Sequence, residues 1–573
     1  MKIDPEIAGR SIAYAELVQM IESSRHSDTR KRDMVSAVNR VLKMGGFWGN
    51  GFVFSVDAVR SLTASIRPAA HGVSPKSLAN IQSNLRAALR LVGIIDAAGG
   101  YRTKRDPHWS LLHTVFQDKS LLGLSRFINY CAEQSVHPET VNDDIVLGFH
   151  AWLKTRTIEP RPDTVARAIP RLWNRASERV AGWPTTRLRS LQIGIKPRKT
   201  AWADLPDALR REAEAYLAMR ANPDIFDERL GAPVRPLAQG TLRLQREHIR
   251  LAFDVVSKAA TPVETLADLV ASENFKAVLR HYLGETTTKP NAFATAIAKT
   301  LIAVATHHVR VEAGELARLN KLAAKLPAVP FDLTAKNKAL IQAVRDENVL
   351  GALVGLPSRL FVEARRRLAH GRSAHAVAHS GLAIALLLIA PMRPQNLVAL
   401  NWRRHVREFH GPRGVLTLLI PATETKTRRA DLLYELDETT SAMLRWNRKV
   451  LPSIGADPEG DVFAKPGGKR LGQSSLSRAI TVAIEKRVGI EMTAHQFRHL
   501  AAYRYLEARP EDFETVRQLL GHSFGKTTLI YAGLSGERAS RAYGEIVVAK
   551  MAALEKRRSR KIRRKRFGNA QEI

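Results

Sequence analysis

Cysteine is almost absent from this chain of 573 residues, because Cys131 is the only one. A single thiol excludes an intrachain disulfide and a zinc ribbon. Aromatic residues make up 6 % of the chain. The N-terminal residues contain no apolar signal region, and the longest apolar run, at 381–390, is too short to span a bilayer. These absences predict a cytoplasmic protein without a membrane segment.

Acidic residues are also few relative to basic ones. The chain has 55 Asp+Glu against 89 Lys+Arg, a formal charge of +34 and a pI near 10.6. Such an excess favours a polyanionic partner, since each neutralised phosphate releases condensed counterions. A merely soluble basic protein, or one associated with ribosomes, is the alternative; nucleic acid is the partner that the charge favours.

Helical spacing dominates the chain before residue 410. Ser74 is a cap and Pro75 suits the first helical position, ahead of apolar residues at intervals of three and four. Residues 107–190 and 238–325 resemble two copies of one helical module, although amphipathic helices can look alike by chance. We predict a mainly α, multidomain protein divided as follows: a helical region at 1–105, a helical module and linker at 106–205, a helical domain at 215–330, a mixed α+β domain at 340–555, and a basic tail at 556–573.

The clear β signal comes after residue 410. Residues 415–420 and 432–436 read as two strands joined by a polar, charged stretch, which places Lys426 near the tip of a hairpin. Helices are predicted again from 473. His495 and Arg498 share one helix face, and a further helix over 513–520 ends at Gly521, a natural C-terminal cap.

Two familiar motifs fail on inspection. Residues 521–527 resemble a phosphate-binding loop, but the spacing between the glycines is one residue short and a helix precedes it. His495 and His499 have the i, i+4 spacing of metal ligands, yet no glutamate lies between them and no third acid is evident. We therefore expect neither a metal nor a nucleotide cofactor.

What remains is one phenol with several cationic or proton-donating side chains, a set suited to attack on a phosphodiester. Five blocks occur in order, and together they resemble the catalytic domain of tyrosine recombinases, the phage integrase family: MRPQNLVALNW (392–402), TKT (425–427), HQFRH (495–499), LLGHS (519–523) and TTLIY (527–531). Residues 238–325 more loosely resemble that family's helical core-binding domain, which clamps DNA. The first 200 or so residues extend beyond the common two-domain plan.

The resemblance implies a role for each of six residues. Tyr531 attacks the scissile phosphate to give a 3′-phosphotyrosyl bond and a 5′-hydroxyl, a covalent intermediate that conserves the bond for religation. Two arginines hold the non-bridging oxygens, and a lysine protonates the leaving oxygen. One histidine is the general base, the other donates a hydrogen bond, and the two could exchange these roles. The remaining five residues are, in that order, Arg393, Arg498, Lys426, His495 and His522.

The resemblance also implies partners: double-stranded DNA in the nucleoid, a homotetramer on two DNA sites, and in some systems a second recombinase or an accessory protein. Further DNA contacts are predicted at basic clusters, namely Arg365, Arg366, Arg367, Arg428, Arg429, Lys556, Arg557 and Arg558. Asn396 stands where the family often has an acidic residue, and an amide there could still orient its neighbour. Two rival functions are a DNA-binding accessory protein without catalysis and a type IB topoisomerase-like enzyme.

Overall fold

The fold is described from a computed structural model. It covers residues 11–47, 51–96, 107–110, 118, 120–193, 200–228, 232–258, 262–284, 289–330, 332–409, 414–426 and 430–521, with 544, 547–548, 550–551 and 556. The chain divides into two compact units, one comprising 1–191 with 332–573 and the other 192–331. Both are mainly helical, which confirms the predicted fold class.

The N-terminal part of the first unit is built from helices that bury one apolar stripe each. Ser74 caps the helix at Pro75 as predicted, because its side chain accepts from the Ser77 N–H. The helices are α1 (Tyr14–Glu22), α2 (Asp28–Met44), α3 (Val56–Ser65), α4 (Pro75–Leu91), α5 (Pro107–Ser110), α6 (Ser125–Glu133), α7 (Asp143–Arg156) and α8 (Pro162–Arg179). A short antiparallel pair, β1 (Ile12–Ala13) with β2 (Val53–Phe54), joins the residues before α1 to those before α3 and was not predicted.

The second unit is a helical cluster around its own buried apolar core. Its helices are α9 (Asp207–Ala221), α10 (Gln239–Val256), α11 (Leu266–Val270), α12 (Ser272–Leu283), α13 (Ala292–Val304) and α14 (Ala313–Ala324). By length and composition one described helix, Ala292–Val309, could cross a membrane. Its residues Ile297, Leu301 and Val304 are buried in this core, as in the central helix of a globular domain.

The C-terminal part of the first unit surrounds one very apolar helix, α18 (His375–Ile389). Residues 378–387 of α18 are buried on every side, and α18 packs against α17, α21, α22 and α23. The helices here are α15 (Ala335–Ala343), α16 (Glu347–Val354), α17 (Leu356–Ala369), α18 (His375–Ile389), α19 (Pro394–Val398), α20 (Trp402–His405), α21 (Glu438–Val450), α22 (Gln473–Arg487), α23 (Gln496–Ala508) and α24 (Phe513–Leu520).

The predicted hairpin is present and belongs to a three-stranded antiparallel sheet. Strands β4 (Thr417–Ile420) and β5 (Leu432–Glu435) pair with Leu418 opposite Tyr434. A third strand, β3 (Val406–Arg407), pairs with β4 on its other side and was not predicted. Two residues carry too little alternation to be recognised as a strand. The sheet places the segment after β4, which leads to Lys426, beside the start of α19.

Candidate active site

Arg393 lies between the end of α18 and the start of α19. A residue before proline is sterically disfavoured from the helical region, and Arg393 accordingly has φ −68° and ψ 144° ahead of Pro394. Its half-buried guanidinium donates from Nη2 to the main-chain oxygen of Gly521 (3.3 Å). The buried Nη1 has no hydrogen-bond partner among the described residues. Burial lowers the pKa of Arg393, but an arginine remains charged at neutral pH.

Arg498 lies in the first turn of α23 and is almost fully buried, with 4 % exposure. Its Nη1 donates to the main-chain oxygen of Pro391 (2.8 Å) and its Nη2 to that of Leu520 (2.6 Å). A buried cation is tolerated because such charge-assisted bonds replace its hydration. The guanidinium thereby joins the end of α18 to the end of α24, next to Arg393.

Three consecutive carbonyls at the end of α24 meet three side chains of the site. The oxygens of Leu519, Leu520 and Gly521 accept from Tyr434 Oη (3.1 Å), Arg498 and Arg393 respectively. Helix C-termini expose unpaired carbonyls with partial negative charge, so cations and hydroxyls satisfy them well. These bonds fix the end of the chain segment that leads directly to residue 522.

Gly521 makes this turn possible. It ends α24 with φ 57° and ψ 46°, the left-handed conformation that favours glycine. A side chain here would also meet Leu432 of β5, whose Cδ2 would lie 2.9 Å from an added Cβ. The glycine therefore permits both the sharp turn and the close approach of α24 to the sheet, as its position in the sequence predicted in part.

His495 is the N-cap of α23 and remains in contact with solvent. Its pKa is lowered, first by partial burial of the ring and then by the positive charges of Arg498, Arg393 and Lys426. Three cations that act together on one imidazole must lie near it. Four of the six predicted catalytic residues are thus assembled in one site, with His495 held in its neutral, basic form.

His499, one turn later, has a different environment from His495. Burial is the main cause that lowers the pKa of His499 to about 4, and the nearby charge of Arg498 acts in the same direction. Its Nε2 lies 3.0 Å from the Asn337 amide nitrogen and can accept a hydrogen bond from it. The two imidazole rings are edge to face, with centroids 5.6 Å apart. Among the described residues no group of three or more His, Cys, Asp or Glu side chains could hold a metal ion.

Depressed histidine pKa values predict that the fold loses stability in mild acid. Burial lowers the pKa of His379, in α18, to about 4, whereas an unfolded histidine titrates near 6.5. Between pH 6.5 and 4 the unfolded chain therefore binds more protons than the folded chain. The free energy of unfolding decreases as the pH is lowered through this range, by up to about 3 kcal/mol for this one residue. Urea unfolding midpoints at pH 7 and pH 5 measure the loss. The loss of stability between pH 7 and pH 5 should be smaller in His379→Leu. An unchanged pH dependence in that variant would contradict the role given to His379.

Several predicted residues can be placed, and others lie outside the described part of the chain. Arg365 and Arg366 are exposed on α17. Arg367 is exposed too, but its guanidinium is paired with Glu363 (2.7 Å). Lys426 and Lys556 are exposed. The remaining predicted residues are all outside the described residues: His522, Tyr531, Arg428, Arg429, Arg557 and Arg558.

The structure adds residues that the sequence analysis did not select. Tyr434 is buried, which raises its pKa, while the charges of Arg498 and Arg393 act in the opposite direction. Glu424 contacts three side chains near Lys426, through its carboxylate and its main-chain oxygen. Tyr434 stands at an alternate position of a predicted strand, which indicated burial, but its partner is 85 residues away and no local pattern could identify it.

Known proteins resemble part of this chain. Residues 363–538 match the model of the phage integrase family. Within known sequences, the chain is 33 % identical over 103 residues to the tyrosine recombinase XerC of Pseudomonas fluorescens strain Pf-5, covering 18 % of this chain and 34 % of that protein. It is 36 % identical over 88 residues to XerC of Pseudomonas syringae pv. tomato strain DC3000, covering 15 % and 29 %. The matched region thus spans about a third of these relatives.

Two solved structures also match this chain, with low TM-scores. One is the XerH site-specific recombinase bound to difH substrate in a pre-cleavage complex, with a TM-score of 0.31 and 15 % identity over 58 % of this chain and 92 % of that chain. Another is XerH bound to palindromic difH in a post-cleavage complex, with a TM-score of 0.32 and 14 % identity over 61 % and 97 %. The chain is thus similar to the phage integrase family over residues 363–538 and to tyrosine recombinases over about a hundred residues.

Proposed function

We propose that this protein carries out site-specific DNA recombination by cutting and rejoining DNA through a covalent tyrosine intermediate. The observation that carries the proposal is the convergence of Arg393 and Arg498 on the end of α24, with Lys426 and His495 within electrostatic reach. These four residues come from three of the five sequence blocks, separated by up to about a hundred residues. Their assembly supports phosphodiester chemistry better than any one motif does.

In the proposed cleavage step, the Tyr531 oxygen attacks the phosphorus and the bond from phosphorus to the 5′-oxygen breaks. The phenol proton passes to His495, whose lowered pKa keeps it neutral and able to accept it. Lys426 gives a proton to the departing 5′-oxygen. The products are a 3′-phosphotyrosyl ester and a 5′-hydroxyl, with no change in oxidation state, and the reverse reaction on another strand rejoins the DNA.

The arginines stabilise the charge that develops on the non-bridging oxygens. A guanidinium matches a phosphate bidentately and keeps its charge when it is partly buried. Preorganised donors of this kind contribute about 3–4 kcal/mol each, by analogy with oxyanion holes. The partnerless Nη1 of Arg393 is a donor suited to this task. His522 is proposed to add a further hydrogen bond, since it follows the anchored turn at Gly521.

The proposed partners follow from charge and family. Double-stranded DNA fits the +34 formal charge, and the exposed Arg365 and Arg366 can contact phosphates outside the site. The helical unit at 192–331 contains the proposed core-binding domain at 215–330. Four protomers on two DNA sites, with an accessory protein or second recombinase in some settings, complete the proposed assembly. The reaction is proposed to take place on cytoplasmic, nucleoid-associated DNA without metal or nucleotide.

The proposal is tested with duplex DNA from the ends of the genetic element that encodes this chain, nicked so that the cleaved strand diffuses away and the adduct is trapped. Wild-type protein in EDTA should give a denaturant-resistant protein–DNA adduct, and Tyr531→Phe should give none while it retains DNA affinity. Tyr503→Phe is the matched control, because the Tyr503 hydroxyl bonds Glu507 (3.0 Å) and takes no part in the proposed chemistry.

Each of three other outcomes would indicate a different function or a different nucleophile. Tight binding without an adduct in the wild type would favour the accessory-protein function. An adduct in Tyr531→Phe would identify another nucleophile. Relaxation of supercoiled DNA without site preference would favour the topoisomerase-like enzyme.

A further inference from the structure

Lys426 follows a short segment, residues 422–425, in which Glu424 is contacted by three side chains of α19 and α20. The Ala422 N–H also bonds the Asp431 carboxylate (2.7 Å). After β4 ends, residues 422–424 form a single turn, Thr425 is buried, and Lys426 is exposed. A lysine side chain carries its ammonium group on a flexible four-carbon stem. The position of its main chain therefore limits where the ammonium group can be placed.

The Glu424 carboxylate is held by two neighbouring residues of α20. Its Oε1 accepts from Arg404 Nη1 (3.0 Å) and its Oε2 lies 3.0 Å from His405 Nε2. His405 is fully buried, with 1 % exposure, and its Nδ1 accepts the Asn401 N–H (2.9 Å). Because Nδ1 is an acceptor, the ring proton lies on Nε2 and is donated to Glu424. The tautomer of His405 and the orientation of the carboxylate are thus fixed together.

The main chain of Glu424 is held by a separate contact, from α19. Buried Asn396 donates from Nδ2 to the Glu424 main-chain oxygen (3.0 Å). Asn396 lies in α19, three residues after Arg393. Glu424, two residues before Lys426, is therefore bonded both to α19, the helix that follows Arg393, and to α20.

We infer that Glu424 and His405 are positioning residues that hold Lys426 where it can protonate the leaving 5′-oxygen. The inference rests on the proposed function and adds to it which residues outside the six-residue set control one proton transfer. Glu424 acts through the segment it anchors and does not contact DNA in this role. Its own loss should therefore weaken leaving-group protonation and leave attack by Tyr531 intact.

The test compares two DNA substrates of one sequence, cut at the site mapped by the adduct assay. One has the ordinary 5′-oxygen at the scissile bond and the other has sulfur in its place. A thiolate leaves without a proton, because a thiol has a pKa of about 8.5, far below that of an alcohol. With the sulfur substrate the bond from phosphorus to sulfur breaks, the thiolate departs, and Lys426 is not needed.

On the oxygen substrate, Lys426→Ala should cleave about 100-fold or more slowly, and Glu424→Gln about 10-fold to 100-fold more slowly, than the wild type. On the sulfur substrate both should recover to within about threefold of the wild-type rate. His405→Gln, which keeps an N–H donor for the carboxylate, should lose less activity than His405→Ala. Glu363→Gln is the matched control: Glu363 also joins two arginines, Arg367 and Arg487, and its loss should alter neither rate.

Two results would overturn the inference. One is a Glu424→Gln variant that is equally slow on both substrates, which places its defect elsewhere than at the leaving group. The other is a Glu424→Gln variant that cleaves the oxygen substrate as fast as the wild type does. Failure of the proposed function is distinct, since the wild-type protein would then form no adduct with either substrate.

Discussion

Replacement of Arg498 with alanine is expected to slow DNA cleavage about 100-fold to 1,000-fold and to destabilise the fold. The first effect follows from the loss of one preorganised cation at the phosphate, which costs about 100-fold to 1,000-fold in comparable oxyanion sites. The second effect follows from its hydrogen bonds to Pro391 and Leu520, whose carbonyls would be left without this donor. We expect a loss of about 3 kcal/mol in unfolding free energy, since each buried unsatisfied group costs about 1–3 kcal/mol.

Arg498→Lys separates charge from geometry. Lysine keeps the positive charge, but a single ammonium group does not reproduce a planar fork that reaches the ends of α18 and α24. Single-turnover adduct formation and urea unfolding, measured on both variants, give the two effects independently. An alanine variant that cleaves within tenfold of the wild type would contradict the role given to Arg498.

Replacement of Arg393 with alanine is expected to have an almost purely catalytic effect. Arg393 contributes one long hydrogen bond to Gly521 (3.3 Å), and its Nη1 is unbonded among the described residues. Cleavage should fall about 100-fold to 1,000-fold, while the unfolding free energy should change by about 1 kcal/mol or less. The same two assays measure this, and DNA affinity measured by anisotropy completes the comparison. A large loss of stability together with nearly normal cleavage would mean that Arg393 is structural and that Arg498 alone contacts the phosphate.

The two arginines thus differ in a way that their similar sequence contexts do not reveal. Arg498 connects the ends of α18 and α24 by hydrogen bonds and is also a candidate phosphate ligand. Among the described residues, Arg393 is held by a single long hydrogen bond. Both were predicted from ordered blocks, because family motifs record chemistry. The helix ends and carbonyls that surround each guanidinium come from residues up to 128 positions away, and only the folded chain reveals them.

Local signals predicted local structure well. Helix α24 runs over the predicted residues because Asp512 caps its start and Gly521 supplies the left-handed turn at its end. Helix α22 likewise begins at the predicted residue, Gln473. The strands β1, β2 and β3 were missed, since two residues paired across a sheet have no periodicity of their own. The two compact units are divided at residues 191–192 and 331–332, and the five-part domain division stays a prediction.

The supporting contacts of the site were the least predictable. An amide at Asn396 was expected to orient a neighbour, and the structure gives its partner as the Glu424 main-chain oxygen. Glu424 and His405 were not selected, because a glutamate before a lysine and a histidine at the end of a basic run are ordinary surface patterns. Their relevance depends on the sheet register, which brings the end of β4 beside α19 and α20.

The central claim is that this chain cleaves DNA with Tyr531, and direct identification of the linked residue tests it best. The trapped adduct is digested with protease and nuclease, and the peptide that carries the nucleotide is sequenced by mass spectrometry. The account predicts one modified peptide, with a 3′-phosphate ester on Tyr531, and a free 5′-hydroxyl on the released strand. A nucleotide on any other residue, or a released strand with a 5′-phosphate, would contradict it.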